Sequence, residues 1–493
     1  MQHIRTPNIR PTLLGISYRS VYVSTFLFSA VGIFVSAGLH RSILPPLLVM
    51  GVTIFACLCL VSIQRGQKLS SLPLGPDVLV LGLLGPGVFL SGIYLACYEA
   101  PNLIGLVAHS HTQVLWYAFK ALLLCFIGLM GFSLGYYTWP KSSARPCELG
   151  EEPKANRTAL FIALGMAALG ILIALQYIRV RGGIVNFMQV WNDRDELFQV
   201  PIYDRIVAIL PMATVIIFCA PIRRWYYWAM VTPIASFTLF SMYATGGRHN
   251  VLRFSFACFI ALLFTPRFVR FIRKNPISVC VTGIVFFLIV YVSVGILRGT
   301  AGTRMLGAGD FFSDAFFILG QSQILDSLLS AYYLPSLVPI CLSVYTFPGV
   351  FGFVGGDSLL AAIDVYVPKF IWSDFPNYQM GKALRSSIYG DDADSGLYAS
   401  YIGEMWANFG YLGPFIGMLA LGGVARFSMS LLSRDPVDPM KRAFYAITFG
   451  SVVPMFLVVN AKPAAFNTVF LYIFLILAWG AYLVAGGNIQ RRN

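Results

Sequence analysis

"SGLYASYIGEMWANFGYLGPFIGMLALGG", residues 395–423, begins like a membrane–water interface and ends like the inside of a bilayer. Tyr398, Tyr401, Glu404, Trp406 and Asn408 crowd its first half, and the second half is apolar without a charge. An α-helix needs about 20 such residues to cross hydrocarbon. Taken as one span over 397–424, the stretch sets its aromatic and polar residues at one membrane face, where tyrosine and tryptophan concentrate.

The same alternation runs through the chain. Of 493 residues, 57 % are hydrophobic and only 11 % charged, too few charges to cover a soluble surface of this size. Apolar runs bounded by charges or by Pro and Gly give about twelve spans. They fall at 20–39, 43–63, 77–98, 113–138, 157–178, 203–221, 225–244, 250–265, 276–297, 397–424, 442–460 and 465–485. The expected fold is an all-α, polytopic integral membrane helical bundle forming one transmembrane domain over 1–493. Arg5, Arg10 and Arg19 precede a first run of full spanning length with no small-residue cleavage site, so that run reads as a retained helix. Nine cysteines are scattered without a CxxC, which predicts neither a disulfide framework nor a metal site.

The net charge of +14 sorts by side. Alternate loops, with both termini, hold 21 Lys and Arg against six acids, and the other side holds 13 against 15. Cytoplasmic loops carry the excess of Lys and Arg, so both termini are expected in the cytoplasm. Topology thus accounts for the basic balance, and nucleic-acid binding drops out. Residues 298–396 break the rhythm on the outer side, with Pro335, Pro339, Pro348, Pro368 and Pro376, many glycines and an acidic "GDDADSG". So long a segment is expected to be a partly helical outer cap inserted before the last three spans, with re-entrant or interfacial helices in 315–350.

The outer cations are the candidates for chemistry, because the topology rule does not require them. Arg179 and Arg181 follow the fifth span, Arg248 and Arg253 flank the turn "TGGRHN" (245–250), and Arg298 and Arg304 follow the ninth span. Arginine offers a flat, permanently charged fork that binds phosphate oxygens through paired hydrogen bonds. Several converging from different helices suit a diphosphate just outside the bilayer; taken singly, each can also snorkel to a headgroup. His249, beside cations that would keep it deprotonated, is the candidate proton acceptor. His109 and His111 form an H-x-H without a carboxylate cluster, a weak metal signal. Asn250 is placed to cap the following helix. Tyr398, Tyr401 and Asn408 suit a sugar, with rings to stack on pyranose faces and a carboxamide to hold hydroxyls. Spans one to nine hold almost no mid-membrane carboxylate, which speaks against an ion-coupled transporter.

"YIGEMWANFGYLGPFIGMLALGG" (401–423) resembles the GE-x-x-x-NFG-x-x-G element of the Wzy-type O-antigen and capsular polysaccharide polymerases. "TGGRHNVL" (245–252) is similar to their mid-chain small-residue/Arg turn, and "VYVPKFIW" (365–372), with Lys369, lies where they carry the end of a large periplasmic loop. The resemblance implies a metal-independent, cofactor-free glycosyltransferase of the bacterial inner membrane. Its substrate would be an undecaprenyl-diphosphate-linked oligosaccharide, and a chain-length regulator protein would be its partner. On that reading Arg248, His249, Arg298, Arg304 and Glu404 are catalytic. Arg179, Arg181, Arg253, Lys369, Tyr398, Tyr401 and Asn408 bind substrate. The O-antigen ligases tend to carry a histidine before the equivalent of 403–410; here Ser395-Gly396 stand there and 298–396 hold no histidine, which favours polymerase over ligase. A lipid-linked oligosaccharide flippase is the alternative from another class; it should carry charges deep in the spans of both halves, whereas Lys120 is the only clear one here.

Overall fold

The computed structural model describes residues 44–69, 75–97, 111–138, 156–180, 183, 209–220, 225–244, 248–275, 278–279, 281–283, 285–286, 337–363, 378–390, 397–435, 437–458 and 461–490. Among them there are helices and no strands. In chain order they are α1 (Leu44–Leu69), α2 (Pro76–Cys97), α3 (His111–Thr138), α4 (Arg157–Val180), α5 (Ile209–Cys219), α6 (Trp225–Ala244), α7 (Arg248–Leu263) and α8 (Pro266–Lys274). Then come α9 (Leu337–Thr346), α10 (Asp357–Ala361), α11 (Met380–Tyr389), α12 (Ser400–Phe409), α13 (Leu412–Arg434), α14 (Pro439–Ile447), α15 (Val453–Val458) and α16 (Ala461–Gln490).

Six stretches among the described residues are long and apolar enough to cross a membrane: Leu79–Ala96, Thr112–Thr138, Arg157–Val180, Leu412–Arg434, Pro439–Val458 and Thr468–Ala485. Shorter apolar helices occupy Leu47–Ile63, Ile209–Cys219, Asn250–Leu263 and Leu337–Thr346. The long helices turn large apolar side chains outward, among them Met130, Phe161, Leu172 and Val484. A water-soluble surface does not tolerate such a belt, whereas acyl chains cover it at no cost. The chain is a multi-pass membrane protein. The expected first span, 20–39, lies outside the described residues, as does most of 276–297.

α3 and α13 pack along their length through glycine. A Cβ at Gly131 would overlap the carbonyl oxygen of Phe415, one at Gly135 that of Leu419, and one at Gly422 that of Phe132. Lipid tails are as apolar as leucine, so membrane helices associate through such close backbone contact.

The stretch 397–424, expected as one span, is two helices. α12 ends at Phe409, Gly410 takes φ 58° and ψ −143°, and α13 restarts at Leu412. Only glycine adopts that backbone without strain. The corner is tight: a Cβ at Gly413 would overlap the Met405 carbonyl oxygen, and the Trp406 and Tyr411 rings meet edge to face at 4.9 Å. The span proper then runs ten residues past the expected limit, to Arg434. The run expected at 442–460 is also interrupted, by a π-helical turn over Thr448–Val452 where Gly450 lets the backbone of Ala257 on α7 approach.

Within the stretch expected as the outer cap, α9 is a buried helix. In α9 every residue but Tyr345 is buried, between α3 and α12. Its interior Ser343 hydroxyl bonds the Pro339 carbonyl 2.9 Å away, one turn back.

Candidate functional site

α12 presents Tyr401, Glu404 and Asn408 at helical spacings of three and four, along one face. Glu404 is 1 % exposed and Asn408 3 %. Such groups need partners, and an element 46 residues earlier supplies them. Ser358 Oγ donates to Glu404 Oε1 at 2.7 Å and accepts from Asn408 Nδ2 at 2.7 Å. Asn408 Nδ2 also donates to the Glu404 carbonyl at 2.8 Å, and its Oδ1 accepts from the Gly356 N–H at 2.9 Å.

Ser358 reaches this position because the loop 347–357 wraps around the end of α12. Val354 N donates to the Ala407 carbonyl at 2.9 Å, and the Trp406 indole N–H to the Phe347 carbonyl at 2.9 Å. Gly355 and Gly356 both turn left-handed, at φ 68° and 105°, and the chain then enters α10. Tyr378, just ahead of α11, lies near Asp357, and burial together with that charge pushes its phenol up to about 12. The Thr346 and Ser387 hydroxyls share a hydrogen bond of 2.8 Å that ties α9 to α11.

α7 begins at Arg248, two residues earlier than expected, so Asn250 lies inside its first turn rather than ahead of it. Its Oδ1 accepts from the Arg253 guanidinium, which also reaches Met455 Sδ on α15. Tyr398 interacts electrostatically with Arg253 and packs against the cluster of Met455 and Ala464. The Tyr401 ring meets Phe456 edge to face at 5.6 Å, and its phenol feels the Glu404 charge. Arg253 and Tyr398 thus meet at the Met455–Ala464 cluster, Tyr401 meets the adjacent Phe456, and Glu404 and Asn408, on the same helix as Tyr401, are joined to Ser358.

Of the other sequence candidates, Arg179 is exposed in the last turn of α4. Arg248 and His249 open α7, but their side chains lie outside the described residues, as does that of His111 at the start of α3. Arg181, Arg298, Arg304, Lys369 and His109 lie outside them altogether. Ser358 was not among the candidates read from the sequence, and the pair Gly355-Gly356 ahead of it was the available signal. Among the described residues, no three His, Cys, Asp or Glu side chains come together as metal ligands would.

A model of the O-antigen polysaccharide polymerase Wzy family matches residues 20–484, nearly the whole chain. The chain belongs to that family. No curated protein and no solved structure matches it. The Wzy match runs through both the start of α7 and the α12–α13 corner, where two of the three sequence motifs fall.

A second polar set, the buried Asp77, Tyr136 and Tyr445 with the half-buried Arg426, lies about 21 Å along α13 from its start at Leu412, 14 residues at 1.5 Å each. The Arg426 guanidinium stands over the Tyr136 ring at 5.7 Å. In this Wzy chain one polar cluster therefore stands beside the α12–α13 corner and the other well along α13.

Proposed function

We propose that this protein polymerises O-antigen repeat units at the periplasmic face of the inner membrane. The growing glycan leaves its undecaprenyl diphosphate and joins the non-reducing end of a new lipid-linked repeat unit. The acceptor hydroxyl oxygen forms a bond to the anomeric carbon of the donor sugar. The bond from that carbon to the diphosphate oxygen breaks, and its electron pair leaves with the diphosphate. The acceptor proton passes to Glu404, with His249 the second candidate.

Negative charge builds on the departing diphosphate, and fixed cations aimed there lower the barrier. Arg248, Arg298 and Arg304 take that role, with Arg179, Arg181, Arg253 and Lys369 holding the diphosphate and the glycan. Arg248 and His249 sit in the first turn of α7, where unpaired N–H groups and the helix dipole disfavour cations but favour an anion. A bound diphosphate answers both. Tyr398 and Tyr401 provide faces for sugar rings, and a chain-length regulator is the expected partner.

The observation that carries this reading is the convergence of Arg253 and Tyr398 at Met455 and of Tyr401, three residues before Glu404, at the adjacent Phe456, inside a chain of the polymerase family. The test is glycan ladder formation in a strain lacking the protein, complemented with wild type, Arg248→Ala or Glu404→Gln, with membrane insertion checked in parallel. Wild type should restore long glycan, and each variant should leave single repeat units. Ladders that persist without the protein, or repeat units that accumulate facing the cytoplasm, overturn the polymerase reading; the latter favours a flippase.

A further inference from the structure

We infer that Ser358 is a positioning residue that holds the Glu404 carboxylate for proton transfer; this rests on the reading of Glu404 as the base. The donor inventory fixes the direction of the network. A carboxamide nitrogen can only donate, so Asn408 Nδ2 occupies a lone pair of Ser358 Oγ. The hydroxyl has one proton, and the bond of 2.7 Å to Glu404 Oε1 takes it. Oε1 is therefore an acceptor in this arrangement, the state that an ionised base requires.

Asn408 is held in turn from two sides, by the Gly356 N–H at its oxygen and by the Glu404 carbonyl at its nitrogen. The Asn408 end of the relay is thus anchored in backbone through both its oxygen and its nitrogen. Ser358 itself is 1 % exposed, so water does not compete for the hydroxyl. The left-handed Gly355 and Gly356 give this loop its conformation, and a loop so tied to α12 orients one carboxylate oxygen and restricts the rotamer of the other. A base displaced by even about 1 Å can lose two orders of magnitude in rate, which is the scale on which such a tether acts.

The experiment uses the full chain in proteoliposomes with lipid-linked repeat units extracted from cells lacking the protein. Ser358→Thr and Ser358→Val differ only in the hydroxyl, so they share any steric cost. Thr should keep a kcat within about threefold of wild type, and Val should lose about tenfold or more in kcat with KM unchanged. Combined with Glu404→Gln, Ser358→Val should cost nothing further, because a group that acts through Glu404 has nothing left to orient.

Equal rates for the Thr and Val variants, with Glu404→Gln inactive, overturn the positioning role and leave the base assignment standing. A Val effect that multiplies fully onto Glu404→Gln, or that appears in KM alone, also overturns it. Wild-type rates for Glu404→Gln remove the base assignment and this inference together.

Discussion

Gly131 and Phe415 meet backbone to backbone across α3 and α13: a Cβ at 131 would overlap the Phe415 carbonyl oxygen. A carbonyl oxygen inside a helix cannot swing aside as a side chain does. Gly131→Ala must therefore push the two helices apart, an overpacking cost of about 1–3 kcal/mol. Nothing lies within 4 Å of the corresponding point at Gly165 on α4, so Gly165→Ala should be neutral or slightly stabilising through helix propensity. Thermal unfolding of the detergent-solubilised protein, read by size-exclusion fluorescence, separates the two. A drop for Gly131→Ala no larger than that for Gly165→Ala would remove the seam from the account of stability.

The Gly410 corner joins the helix that carries Glu404 to the helix that crosses the membrane. At φ 58° and ψ −143°, any side chain at 410 is strained by about 1–3 kcal/mol. Gly410→Ala should lower the unfolding temperature and shorten the glycan, since the corner sets where α12 stands against α9 and the loop at 354–358. Normal ladders from a protein that also unfolds normally would mean that another backbone geometry serves at this corner.

That corner also marks the limit of what the sequence made legible. Long apolar runs between charges specify their own helices, and α6 at Trp225–Ala244 coincides with the span expected at 225–244. Gly410 lies in the same kind of run and reads as one more small packing residue, because nothing within a few positions encodes a positive φ. Arg253 with Asn250 is a local pair, three residues apart and visible in "NVLR". Met455, its other partner, is 202 residues away, and Ser358 is 46 residues from Glu404. Hydrogen bonds across such separations have no periodicity to betray them. Tyr398, Tyr401, Glu404 and Asn408 were legible as a group because one short helix holds three of them and Tyr398 leads into it.

Arg253 offers a test of geometry against charge. Its guanidinium spans Asn250 on its own helix and Met455 on α15, a reach that needs two directed nitrogens. Arg253→Lys keeps the charge and loses the fork. The expected outcome is a rise of about tenfold in KM for the lipid-linked donor with kcat changed little, and a larger loss for Arg253→Ala. A lysine variant with wild-type KM would show that only the charge counts.

Asp438 caps α14 with its side chain, Oδ1 accepting from Met440 N at 2.8 Å and Lys441 N at 3.4 Å. Burial nevertheless raises its carboxyl above the usual range, outweighing those donors and the Lys441 ammonium at 4.0 Å. A carboxyl raised on folding contributes stability that is fully present below its unfolded value, about 3.9, and is lost as pH rises through the folded one. At neutral pH the charge is therefore a burden and the cap a benefit. Asparagine keeps the cap without the charge, so Asp438→Asn should be at least as stable as wild type at pH 7. Asp438→Ala loses both and should unfold about 1 kcal/mol more easily. Unfolding curves at pH 7 for the three proteins decide it: an asparagine variant as weak as the alanine variant would mean that the carboxylate charge, not the cap, holds the start of α14.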